Sequence, residues 1–66
     1  MVLVFFTDVP DKACRERVKP LLNSLEGMIK WHIDLDDIDK VLRVEATHDI
    51  SNEIIDTLAQ VGFTCR

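Results

Sequence analysis

The chain has 66 residues, 47% hydrophobic and 30% charged, with eight Lys and Arg against twelve Asp and Glu for a formal net charge of −4. A chain of about this length buries roughly 60% of the surface its unfolded form exposes and cannot divide that core, so residues 1–66 are expected to form one domain. The charge balance excludes a binder that works by neutralising nucleic-acid phosphates, and two cysteines, Cys14 and Cys65, exclude a disulfide-stapled secreted scaffold.

Residues 2–7 (Val-Leu-Val-Phe-Phe-Thr) are β-branched and aromatic, apolar on both faces, and read as a central strand. The apolar run is too short to span a bilayer and has no basic leader. The sequence therefore predicts a cytoplasmic protein without membrane insertion. Asp8 is a helix N-cap candidate, and Pro10 sits where a missing amide costs nothing, so a helix is expected from about Val9 or Pro10. Cys14, Val18, Leu21, Leu22 and Leu25 share one face of that helix, Pro20 is expected to bend it, and Gly27 to end it. Lys12, Arg15, Arg17 and Lys19 form the densest basic group and read as its solvated face.

Residues 29–36 alternate apolar and polar and predict a half-buried second strand with Trp31 and Ile33 inward and His32 outward. Asp36-Asp37-Ile38-Asp39 is a turn, and Val41–Thr47 a third strand with Leu42, Val44 and Ala46 on one face. Asp49 or Ser51 is expected to cap a second helix carrying Ile54, Ile55, Leu58 and Val61, closed by Gly62. Phe63, Thr64 and Cys65 begin a short fourth strand. The order strand, helix, strand, strand, helix, strand predicts an α+β fold, a ferredoxin-like βαββαβ two-layer sandwich with a four-stranded antiparallel sheet. The loop after strand one, the hairpin turn and the Gly62-Phe63 turn then fall at one end of the sheet, with His48 at the other.

The Leu25-Glu26-Gly27-Met28 turn, the strands Trp31–Leu35 and Lys40–Val44, and the ending Ile54-Ile55 through Gly62-Phe63 together resemble the heavy-metal-associated domains of copper chaperones and copper-transporting ATPases. The resemblance covers nearly the whole chain and implies a module that binds a soft ion such as Cu(I) through a Met-x-Cys-x-x-Cys loop. Here the matching run is Val9-Pro10-Asp11-Lys12-Ala13-Cys14: Val9 stands for the packing methionine, Asp11 for the first cysteine, and Cys14 for the second. A thiol paired with a hard carboxylate is a poor match for Cu(I).

Cys14 also continues the apolar helix face, the commoner use of a free cysteine. As a thiolate at a helix start it needs a second ligand, which Cys65 could supply in a metal clip or a disulfide. Two readings follow. One is a module that has lost efficient metal capture, takes no cofactor, and acts by contact with a protein partner or by self-association. The other is a residual soft-metal carrier or sensor using Cys14 with Cys65 or a partner thiol. Metal positions are then Cys14, Asp11 and Cys65.

The acidic run Asp34, Asp36, Asp37 and Asp39 matches no calcium loop. His32 and His48 lie too far apart to share an ion, and no nucleophile–base or paired-carboxylate arrangement is found, so no enzyme activity is expected. On strand one, alternation with Val2, Val4 and Phe6 inward turns Leu3 and Phe5 outward beside Val41, which makes these three an expected interaction surface.

Overall fold

A computed structural model describes residues 1–66. The elements are β1 (Val2–Phe5), α1 (Lys12–Asn23), β2 (Met28–Ile33), β3 (Leu42–Ala46) and α2 (Ser51–Gln60). The sheet is antiparallel with order β1-β3-β2, and both helices pack on one of its faces. The α+β layering is as expected.

The fourth strand is reduced to a single bridge between Thr7 and Cys65, so the sheet has three strands rather than four. Phe6 and Arg66 exchange both backbone bonds, Phe6 N–H to Arg66 O at 2.6 Å and Arg66 N–H to Phe6 O at 2.9 Å. Met1 and Ala46 exchange theirs likewise at 2.8 Å, so odd residues of β1 point their backbone at β3 and Phe6 points away from it. The last residues thus lie along the free side of β1, in the expected place, but form too little ladder to count as a strand.

The core joins Phe5 and Val9 to Val18 and Leu22 of α1, Ile33 of β2, Leu42, Val44 and Ala46 of β3, Ile50, Ile54 and Leu58 of and before α2, and Cys65. The face assignment of β1 is the reverse of the expected one. Phe5 is 7% exposed and Leu3 packs against the core, whereas Val2, Val4 and Phe6 are about half exposed on the open face. A strand apolar on both sides carries no alternation to read, and its face is set by register: Leu3 pairs with Val44 and Phe5 with Leu42, both core residues. Leu3 and Phe5 therefore leave the interaction surface. Val41, one residue before β3 and half-buried, keeps the open-face parity and lies one register step beyond the Phe5–Leu42 pair, on the side of Phe6.

Strand β2 is shorter than its alternation suggests. A bulge between Met28 and Lys30 turns Ile29 outward, 62% exposed, where regular alternation places it inside. Helix α1 begins later than expected and takes Asp11, not Asp8, as its N-cap, because a residue before proline, here Val9, is driven out of the helical region. It runs through exposed Pro20 and ends at Asn23 with Ser24 as C-cap. Gly27 does not end the helix. It turns the chain into β2 at φ +91°, and its carbonyl accepts the Thr47 amide at 2.9 Å. Ile50 precedes α2 without a side-chain cap, and Asp49 instead binds back onto Ser51.

Candidate functional site

Three loops meet at one end of the sheet, and their ties come from short polar side chains. Thr7 donates its hydroxyl to Lys40 O at 2.6 Å and its amide to Asp39 O at 3.1 Å, which fastens the loop after β1 to the hairpin turn. Asp8 accepts the Thr64 amide at 2.7 Å, which fastens the same loop to the chain's last turn. His48 sits at the opposite end, where its Nδ1 lies 2.9 Å from Thr47 Oγ1. His32 is exposed on the open face, so the two histidines do not converge.

Asp11 and Cys14 stand at the start of α1. The Cys14 amide donates to Asp11 Oδ1 at 2.9 Å, satisfying one of the donors that a helix start leaves open. Hydrogen bonds from Cys14 hold the Asp11 carboxyl below the usual carboxylate range. The half-buried Cys14 thiol is pushed up by burial first, then by its contact with the Asp11 carboxylate and that group's charge, with Arg17 opposing. Helix-start cysteines become reactive when their surroundings favour the thiolate. Here the neighbouring carboxylate favours the proton.

Cys65 is reached through the Thr7 bridge, is 8% exposed, and has its thiol pushed up to about 11 by burial alone. Both cysteines are free. No three His, Cys, Asp or Glu side chains are grouped to hold a metal ion. In the hairpin turn, Asp34 and Asp37 are used locally, accepting the amides of Asp36 at 3.1 Å and Asp39 at 2.8 Å, while Lys40 at φ +46° reaches back to Leu35 O at 2.6 Å. These carboxylates serve the turn.

A second feature was hidden in the sequence. Arg15, Glu16 and Lys19 of α1 flank a groove of about 370 Å³ against Ile29–Ile33 of β2, and it adjoins a hollow of about 430 Å³ over Lys30, His32, Arg43 and Glu45 on the open face. The basic residues of α1 were legible only as a solvated face, because nothing local places them beside the edge strand.

No family model and no curated protein matches the chain. Among solved structures, it is similar to the solution structure of the N-terminal domain of ZntA in the Zn(II)-form, with 21% identity, a TM-score of 0.81, and coverage of 98% of this chain and 88% of that one. No helix here is long and apolar enough to cross a membrane. The chain has the fold of that domain, built with three paired strands and one bridge.

Proposed function

We propose that this protein is a small contact module on the heavy-metal-associated fold, whose loop no longer captures metal efficiently and which acts by binding another protein or a second copy of itself. The observation that carries the reading is the pairing of Asp11 with Cys14. The position of the family's first cysteine holds a hard carboxylate that already caps the helix, and burial first, with the Asp11 hydrogen bond and charge added to it, keeps the proton on the remaining thiol. Metal capture by a thiol requires loss of that proton. A surface for contact is offered by Val2, Val4 and Phe6 with Val41, which form an apolar strip on the open sheet face.

Anaerobic competition for Cu(I) and Zn(II), run on the native protein and on Cys14→Ser, tests the reading. The expected result is weak binding that is the same in both. A loss of at least about tenfold on removing Cys14 overturns it.

A residual soft-metal carrier is the second reading, with Cys14 completed by Cys65 or a partner thiol. It is favoured by the Thr7–Cys65 bridge, which ties the chain's last residues to the end where α1 begins. Elemental analysis with thiol titration of native protein separates the two readings: metal-free protein with two free thiols rejects the carrier.

A further inference from the structure

The charges of this acidic protein are not evenly spread. The adjoining grooves beside β2 collect four of its eight Lys and Arg residues, Arg15, Lys19, Lys30 and Arg43, together with His32, but only Glu16 and Glu45 of its twelve carboxylates. The rest of the surface therefore holds ten carboxylates against four cations. Local pairing leaves the excess in place. Glu16 is shared at 3.9 Å between Arg15 and Lys19, Lys30 meets Glu45 at 3.1 Å, and Arg43 has no ion pair. The Lys19 and Lys30 side chains are 59% and 76% exposed, so an incoming anion reaches them through solvent and competes only with surface pairs.

The spacing of these side chains has a matching partner geometry. Arg15 and Lys19 lie one helical turn apart, about 6 Å between side-chain origins. Lys30 and His32 are alternate residues of β2, about 6.6 Å apart. Same-side residues of an extended peptide repeat at that same interval of about 6.6 Å. Between the two rows lies an apolar floor: Ile29, turned outward by the bulge, and Trp31, whose indole is fixed by an Nε1–H bond to Asn23 Oδ1 at 2.8 Å.

We infer that the groove between α1 and β2 is the docking surface for an extended acidic segment of a partner protein, with carboxylates at alternate positions and apolar side chains over Ile29 and Trp31. The inference rests on the contact-module reading and names the partner's chemistry. A long nucleic acid is disfavoured because the ten carboxylates elsewhere repel an extended polyanion, while a short segment meets only the groove. Lys30 and the bulge are devices that discourage indiscriminate edge pairing, and the same lysine attracts an acidic strand.

The test uses a synthetic octapeptide of alternating Glu and Val, a second alternating Lys and Val, and an oligothymidylate, each titrated into the native protein while Trp31 fluorescence and the amide resonances of residues 29–33 are followed. The acidic peptide is expected to bind with a Kd on the order of 100 μM, weakening several-fold between about 25 and 300 mM salt, and the basic peptide not to bind. The exposed pair Lys19→Glu and Lys30→Glu, made together and checked for native circular dichroism, is expected to weaken binding at least about tenfold. No binding of the acidic peptide, equal binding of the basic one, an unchanged Kd in the double variant, or tighter oligothymidylate binding overturns the inference. So does association of the protein with itself through this groove, abolished by Lys30→Glu, since the occupant is then the chain's own acidic turn. Metal capture that depends on Cys14 instead overturns the contact reading and leaves the peptide result standing, so the two failures are told apart.

Discussion

The carboxylate of Asp11 takes the Cys14 amide at 2.9 Å and also bonds the thiol, so one side chain both starts a helix and adds to the burial that keeps the sulfur protonated. Asp11→Ser separates the two effects, since serine caps a helix about as well but carries no charge. The pH–rate profile of Cys14 alkylation is expected to shift to lower pH in that variant, with helix content unchanged; an unmoved profile means that burial alone sets the thiol. Cys65 makes a different statement. Its thiol ionises near 9.0 when unfolded and at about 11 when folded, because burial penalises the thiolate. A raised pKa contributes stability that is intact below the unfolded value and lost as pH rises through the folded one. The unfolding free energy is thus expected to fall by on the order of 1–2 kcal/mol between pH 9.0 and about 11. Urea melts across that range, repeated on Cys65→Ser, check it: the fall attributable to Cys65 is absent from the variant.

At the scale of elements, the turn into β2 depends on a residue with no side chain. Gly27 sits at φ +91°, and a Cβ there would meet His48 Cε1 at 2.6 Å. Gly27→Ala is therefore expected to cost more than about 1 kcal/mol, from strained backbone and the imidazole contact together. Adding His48→Ala removes the contact and leaves the strain, so the double variant should recover part of the loss in thermal or urea unfolding. The existence and order of the five elements were legible because hydrophobic periodicity and turn residues agree over most of the chain. Where the reading of the sheet failed, the deciding fact was non-local. The face of β1 depends on β3 pairing Leu42 with Phe5 and the bulge at Ile29 on the partner strand, whereas the choice of Asp11 over Asp8 was local, set by Val9 standing before Pro10. Asp11 and Cys14 were legible as neighbours at a helix start, but the hydrogen bond of Asp11 to Cys14 required the folded geometry.

Taken as a whole, the molecule draws its stability from a single layer between sheet and helices. Its radius of gyration of 10.6 Å is what a compact chain of this length gives, about 10.8 Å. Native domains hold about 0.05–0.15 kcal/mol per residue, which for this length is roughly 3–10 kcal/mol in all. Leu58 and Val4 show how unevenly that margin is distributed. Leu58 is fully buried on the inner face of α2, so Leu58→Ala removes packing and leaves a cavity at a cost of about 2–5 kcal/mol, a large share of the total. Val4 is 55% exposed on a face that no helix covers, and Val4→Thr keeps a β-branched strand former there, so its cost is expected to stay within about 0.5 kcal/mol. Urea unfolding of both variants checks the contrast. Should Val4→Thr destabilise at high protein concentration and not in dilute solution, the open face is covered by a second copy, because only association makes apparent stability depend on concentration.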